Sequence, residues 1–181
     1  MEFRLRARSP YHFLGYDENG NPKFENTRSE VGELLFRLKY RDDRSALPKL
    51  AEASAAFVEK WAPGIDALVP VTPSRVRAFQ PTLALAAAIA ADLKLDLGAR
   101  WIERKENVPE LKNVTDHEER IRLLKGAHIV DQGSVKDRKI LVFDDLFQTG
   151  ATMNAVTGAL YDQGGASKLF ALTITRAGPS G

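Results

Sequence analysis

The chain contains no cysteine among its 181 residues. Disulfide bridges, thiol chemistry and cysteine-based zinc sites are therefore excluded, and a cytoplasmic environment is the default expectation. The sequence also lacks an excess of either charge, because its formal net charge is only +2. A balance this small gives no general electrostatic reason to expect nucleic acid as a partner.

Long hydrophobic segments are absent as well. The most apolar stretch, Leu83 to Leu93, is rich in alanine and too short to span a bilayer. The segment Met1 to Arg8 is basic and alternating, and it lacks the apolar core of a signal peptide. We therefore expect no membrane partner, and the length fits a single domain, residues 1–181.

The most informative segment is residues 139–152. Its apolar run, Ile140 to Phe143, has the length and composition of a buried strand. The run stops at two adjacent acids, Asp144 and Asp145, and a helical pattern begins at about Ala151. The loop between them contains a Thr-Gly-x-Thr turn formed by Thr149, Gly150 and Thr152.

This order of strand, acid pair, small loop and helix predicts a sugar-phosphate site. The helix N-terminus and the loop N–H groups can hold a phosphate. The two carboxylates can accept hydrogen bonds from sugar hydroxyls or hold a hydrated Mg²⁺. The segment is no Walker A loop, because no Gly-Lys-Ser/Thr follows the glycine. The alternative, acids that merely cap the next helix, explains neither the second acid nor the threonine-glycine turn.

Hydrophobic periodicity along the rest of the chain predicts an α/β fold. We expect a Rossmann-like parallel sheet with helices on both faces, preceded by a small β flap or hood in residues 1–28. The expected strands are 3–5, 11–16, 22–24, 67–71, 100–103, 127–130, 139–143 and 169–175. The expected helices are 29–40, 45–58, 81–93, 115–124 and 151–163.

Three basic segments could join the acid pair. Arg75 and Arg77 follow a strand, and guanidinium groups suit pyrophosphate oxygens, although two surface arginines would look the same. Arg104 and Lys105 open a charged loop around Pro109, which is either a mobile lid or a solvated loop. A third segment, Leu38-Lys39-Tyr40, ends the first helix with positive charge, which is stabilising at a helix C-terminus by itself.

Together these segments resemble one subfamily of the type I phosphoribosyltransferases, the ComF-like (amidophosphoribosyltransferase-like) proteins. The segments that match, in the family's order, are Leu38-Lys39-Tyr40, Val69-Pro70-Val71, Arg104-Lys105 with Pro109, Arg120 with Gly126-Ala127, and Asp144-Asp145. Two features of the family are missing. They are its four-cysteine zinc module and the R-G-F-N-Q pattern, which here reads Arg77-Ala78-Phe79-Gln80-Pro81.

The resemblance implies the type I phosphoribosyltransferase fold and 5-phospho-α-D-ribose 1-diphosphate (PRPP) as substrate. The phosphoribosyl group would pass to a nitrogen acceptor, a nucleobase or amine, with release of pyrophosphate. Mg²⁺ would be held mainly through PRPP, with few direct protein ligands. The implied catalytic residues are Asp144, Asp145, Arg104 and Lys105. The implied substrate-binding residues are Arg75, Arg77, Phe147, Gln148, Thr149, Gly150, Ala151 and Thr152.

Other interpretations of the sequence remain open. A PRPP sensor or interaction protein, related to DNA-uptake proteins, would keep the same pocket without turnover. Nucleic-acid binding through Arg4, Arg6 and Arg8 is a third hypothesis, although a charged strand face is usually just solvated. The acceptor cannot be read from the sequence, a homodimer is left open, and Phe147 could stack on a base or pack in the core.

Overall fold

The computed structural model describes residues 2–5, 11–16, 22–26, 29–62, 64–73, 78–105 and 126–176. For residues 2–26 it describes strand pairing without side chains. Arg75, Arg77, the region around Pro109 and the predicted helix 115–124 lie outside these residues.

The described elements alternate between strands and helices for most of the chain. The strands are β1 (Glu2–Leu5), β2 (Tyr11–Tyr16), β3 (Pro22–Asn26), β4 (Ala67–Pro70), β5 (Asp96–Leu97), β6 (Ile102–Arg104), β7 (His128–Val130), β8 (Lys139–Phe147) and β9 (Lys168–Arg176). The helices are α1 (Glu30–Tyr40), α2 (Ala46–Trp61), α3 (Pro81–Asp92), α4 (Gln132–Val135) and α5 (Ala151–Asp162).

Five strands form a parallel sheet in the order β1-β9-β8-β4-β5. Strand β4 and the segment Ile140 to Phe143 of β8 are fully buried apolar runs, as is typical of a parallel sheet with helices on both faces. The predicted α/β sheet with helices on both faces is therefore confirmed.

Two apolar layers cover the sheet. On one face, α1, α2 and α3 pack on side chains that include Leu141, Phe143 and Leu172. On the other face, α5 packs on side chains that include Val142 and Ala171. Alternate residues of β8 thus enter different layers, as the two-residue repeat of a strand requires.

Three features differ from the predicted pattern. Strand β8 continues beyond the acid pair to Phe147, because its backbone remains paired with β9 as far as Arg176. Strands β6 and β7 pair antiparallel with each other as a separate ribbon, so they do not extend the parallel sheet. Strand β5 and the short helix α4 were not predicted.

The N-terminal strands divide between two sheets. The predicted hairpin of β2 and β3 is present as a two-stranded antiparallel sheet. Strand β1 instead pairs with β9 and forms an edge of the main sheet. Helix α1 follows the hairpin, and its first turn is capped by Ser29, whose hydroxyl accepts the N–H of Gly32 at 3.1 Å. Over the described ranges, no helix has both the length and the apolarity needed to cross a bilayer.

Candidate functional site

The two acids are adjacent in β8 but point to opposite faces of the sheet. Asp145 follows the side-chain direction of Phe143, toward α1 and α3, whereas Asp144 follows that of Val142, toward α5. The two residues are coupled directly, since the backbone N–H of Asp145 donates to the carboxylate Oδ1 of Asp144 at 2.8 Å. The pair therefore offers two carboxylates in different surroundings, so their roles need not be the same.

Asp145 is buried, with 5% of its surface exposed, and two side chains bind it. The Lys39 ammonium lies 3.0 Å from Oδ1 and 3.0 Å from Oδ2. The Thr82 hydroxyl donates to Oδ2 at 2.6 Å. A buried carboxylate needs such partners, because an unpaired charge away from water is costly. Helices α1 and α3 thus supply the groups that fix Asp145.

Asp144 forms no ion pair with another described residue, and its pKa is raised from 3.8 to about 6. Burial is the main cause, and the negative charge of Asp145 adds to it. Thr173, on the neighbouring strand, is the register partner of Asp144. Among the described residues, the buried Thr173 hydroxyl has no hydrogen-bond partner. The surroundings of Asp144 are therefore poorly suited to a charge and would be improved by a bound cation or donor.

A cavity of about 240 Å³ opens beside the two acids. Its wall combines the acid pair with the turn after β4, the start of α3 and the end of α1. The lining residues are Lys39, Val71, Thr72, Pro73, Gln80, Pro81, Thr82, Asp144, Asp145 and Thr152. This is the carboxyl-end crevice in which parallel α/β sheets bind ligands.

A second cavity, about 250 Å³, lies under the loop that joins β8 to α5. It shares Asp144, Asp145 and Thr152 with the first, so the two cavities form adjoining parts of one site. The other lining residues are Leu146, Phe147, Gln148, Thr149, Gly150, Ala151, Met153 and Thr173. The first N–H groups of α5 lie at this cavity and have no acceptor within the helix.

Gly150 gives this loop its shape. Its φ of +77° is in the left-handed region, which side chains strongly disfavour. A Cβ atom there would also lie 3.0 Å from two ring atoms of Phe147. The ring of Phe147 therefore packs closely under the loop. The guanidinium carbon of Arg176 lies 5.9 Å from the centroid of this ring. The loop can hold an anion with backbone N–H groups because its turn is this tight.

The predicted lid residues lie on the β6–β7 ribbon. Arg104, partly buried, pairs in register with His128, and Lys105 is exposed and donates its N–H to Ala127 at 2.9 Å. Neither residue lines the two cavities. The ribbon is nevertheless tied to the first cavity, because the Thr72 hydroxyl donates to the carbonyl of Ile102 at 3.3 Å.

The predicted site residues thus fall into two groups. The structure brings together Asp144, Asp145 and the whole loop from Phe147 to Thr152. Arg104 and Lys105 stand apart from this group.

Several residues at the site were not assigned to it from the sequence. Lys39 was in one of the basic segments that could join the acid pair, with a stabilising charge at a helix C-terminus as the alternative. The predicted site residues did not include it, nor did they include Thr72, Thr82 or Thr173. Single threonines carry no local signal, and Lys39 reaches a carboxylate 106 positions away in the sequence. The order of the Leu38-Lys39-Tyr40 segment in the family pattern was the one available hint.

The carboxylates at the site suit a metal ion that is held largely by oxygens of the bound substrate. In the ranges that the structure describes, no group of three or more His, Asp or Glu side chains converges as a metal site. Lys39 and Thr82 already bind Asp145, which leaves Asp144 as the carboxylate better placed to meet a cation. Mg²⁺ commonly binds proteins through one or two carboxylates plus substrate phosphates, and these residues fit that pattern.

The fold was compared with solved structures. Glutamine phosphoribosylpyrophosphate amidotransferase from B. subtilis aligns with 87% of this chain at 14% identity and a TM-score of 0.55. Adenine phosphoribosyltransferase from Saccharomyces cerevisiae aligns with 92% of this chain at 14% identity and a TM-score of 0.52. The chain has the type I phosphoribosyltransferase fold.

The extent of the match differs between these proteins. The aligned region makes up 84% of the yeast adenine phosphoribosyltransferase chain but 34% of the amidotransferase chain. No family model matches the chain, and no curated protein matches it. The closer resemblance to ComF-like proteins therefore stays a prediction, and identities this low establish the fold alone.

Proposed function

We propose that this protein is a Mg²⁺-dependent phosphoribosyltransferase that uses PRPP and releases pyrophosphate. The observation that carries the proposal is the union of the two cavities through Asp144, Asp145 and Thr152. One cavity has a helix N-terminus and a tight glycine turn, and both cavities share the two carboxylates. A ligand with a phosphate at one end and vicinal hydroxyls in the middle matches both.

The 5′-phosphate of PRPP would bind in the loop cavity. Backbone N–H groups from Gln148 to Thr152 and the first turn of α5 would donate to its oxygens, and the hydroxyls of Thr149 and Thr152 would add to them. Phe147 supports the turn from below, because its ring packs against Gly150.

The ribose would lie against the acid pair. Asp144 and Asp145 would accept hydrogen bonds from the 2′- and 3′-hydroxyls. Asp144 would meet a Mg²⁺ that is held mainly through PRPP and that would offset the charge of the diphosphate. Arg75, Arg77, Arg104 and Lys105 are the basic residues proposed to neutralise the diphosphate.

The reaction is a displacement at the anomeric carbon. The bond from C1 to the diphosphate oxygen breaks, and pyrophosphate leaves with the electron pair. A nitrogen of the acceptor forms the new bond to C1 and gives up a proton. The protein's part is positional and electrostatic, because the transition state resembles an oxocarbenium ion from which pyrophosphate departs. The acceptor is a nucleobase or amine; the yeast structure with this fold was solved with adenine.

The first experiment measures PRPP binding by calorimetry with and without Mg²⁺. We expect binding that requires Mg²⁺ and that weakens in Asp145→Asn, because a hydrogen bond to a charged group contributes ~1.5–3 kcal/mol. Asp162→Asn, at the exposed end of α5, is the matched control and should bind like wild type. No binding at millimolar PRPP would refute the proposal.

The second experiment separates an enzyme from a sensor. Wild-type protein is screened with nucleobases and amines for pyrophosphate release, and Arg104→Ala and Lys105→Ala are compared with the exposed control Lys49→Ala. In an enzyme, both loop variants should lose more turnover than PRPP affinity, since a leaving group is stabilised mainly in the transition state. PRPP binding without release for any acceptor would identify a sensor.

A further inference from the structure

Lys39 stands out from the other cation in the last turn of α1. Arg37 pairs with Asp43, six residues away, and 44% of its side chain is exposed. The Lys39 side chain is only 19% exposed and pairs with Asp145, 106 residues away. A lysine that served only the helix C-terminus would keep its ammonium in water, near the last carbonyls. The position of Lys39 therefore calls for a role at the cavity.

The contact with Asp145 fixes both carboxylate oxygens. Lys39 lies 3.0 Å from each, and Thr82 takes Oδ2 from the opposite helix. A carboxylate held on two sides has little rotational freedom, and its remaining lone pairs are directed at fixed points of the cavity wall. An acceptor oriented before its ligand arrives spends less free energy on ordering when the ligand binds.

The charge of Lys39 matters as much as its geometry. Two acids already lie side by side, and a sugar diphosphate brings further negative charge into the same 240 Å³. Lys39 is the lysine that lines this cavity within the described ranges, and it offsets one of the two carboxylates. Without it, the acid pair would repel an anionic ligand that it is meant to hold.

We propose that Lys39 is a positioning residue for the ribose: it neutralises and orients Asp145 so that this carboxylate can accept the sugar hydroxyls. The inference rests on the proposed function, because it concerns the same PRPP site. Lys39 acts through Asp145, so its effect should be seen with any ligand that carries the ribose hydroxyls, with or without the diphosphate.

The test compares PRPP with ribose 5-phosphate, which lacks the diphosphate, by calorimetry in the presence of Mg²⁺. Lys39→Met should weaken the binding of both ligands at least about tenfold, the loss typical of a hydrogen-bonded charge. Lys39→Arg, which keeps a cation able to bind two oxygens, should restore most of the affinity. Lys49→Met, an exposed lysine on α2, should match wild type.

A double-mutant cycle shows whether Lys39 affects ligand binding through Asp145. In an Asp145→Asn background, Lys39→Met should cause little further loss, because the charge that it offsets is already gone. Thr82→Val removes the hydrogen bond to the same carboxylate from α3 and should also weaken the binding of both ligands. This variant keeps the inference testable if Lys39→Met folds poorly.

Three results would overturn the inference. In the first, Lys39→Met weakens PRPP alone, and the loss adds fully to that of Asp145→Asn, which would make Lys39 a direct diphosphate ligand. In the second, Lys39→Met lowers the melting temperature and leaves both affinities unchanged, which would make the contact purely structural. In the third, wild type binds neither ligand, which would remove the proposed function itself.

Discussion

Asp144 lies beside Thr173 on the adjacent strand, and the buried Thr173 hydroxyl does not donate a hydrogen bond to the Asp144 carboxylate. The hydroxyl has no hydrogen bond within the described part of the chain, and the carboxyl has a pKa of about 6. Buried polar groups in such a state are common at binding sites, where a ligand completes them. Asp144 and Thr173 therefore lower the free energy of unfolding on the α5 side of the sheet.

Asp144→Asn should stabilise the unliganded protein. The rise of the pKa from 3.8 to about 6 means that the folded state holds the proton more tightly than the unfolded state, so ionised Asp144 costs roughly 3 kcal/mol. The cost is absent below pH 4 and complete above pH 6. Urea unfolding should therefore show the variant more stable at pH 7.5 and equal to wild type near pH 4. An unchanged or lowered stability at pH 7.5 would mean that Asp144 is already satisfied.

PRPP binding should release a proton from the same group. Mg²⁺ and hydroxyl donors favour the ionised carboxylate, so affinity should rise with pH up to about 6 and then level off. Calorimetry in buffers of different ionisation enthalpy measures the protons released. The ligand's own phosphates also titrate, so the relevant quantity is the difference from Asp144→Asn. Equal proton release by the two proteins would exclude Asp144 as the source.

Gly150→Ala should damage the phosphate loop. An alanine at φ +77° is strained, and its Cβ would press on the ring of Phe147 at 3.0 Å. We expect a loss of about 1–2 kcal/mol in stability and a clear fall in PRPP affinity. Gly158→Ala in the same helix is the matched control, because a Cβ there meets nothing within 4 Å. It should stabilise the helix by about 0.5–1 kcal/mol and leave binding intact. Wild-type affinity in Gly150→Ala would show that the turn holds no phosphate.

His128 should make the β6–β7 ribbon sensitive to acid. Its side chain is buried, Nδ1 has no hydrogen-bond partner among the described residues, and burial together with the charge of Arg104 lowers its pKa. The unfolded chain then binds a proton more readily than the folded one, so stability is complete above pH 6.5 and falls as the pH drops below that value. His128→Gln should lose less stability than wild type between pH 7.5 and 5.5 in urea unfolding. A parallel loss in both proteins would assign the acid sensitivity to other groups.

Local pattern was enough to determine several parts of this molecule. Apolar runs of strand length followed by helical periodicity determined an α/β sheet covered on both faces, because each strand must bury both sides. The loop around Gly150 and the helix after it were predicted from the small polar residues that separate the strand from the helical pattern. The role of this loop in holding a phosphate stays a prediction. The acid pair was found for its composition and its neighbours in the chain.

The tertiary structure decided how those parts work together. A two-residue repeat implies that Asp144 and Asp145 face opposite ways, yet only the packing of α1 and α3 shows which carboxylate receives a cation. Lys39 and Thr82 lie 106 and 63 positions from Asp145, and contacts over such separations leave no trace in local periodicity. The ribbon of β6 and β7 was expected in the parallel sheet because a strand of three residues carries too short a pattern to show which sheet it joins. Strand β8 extends beyond the two acids, where the sequence predicted its end. The hydrogen bonds that extend a strand are made by the backbone, whichever side chains the strand carries.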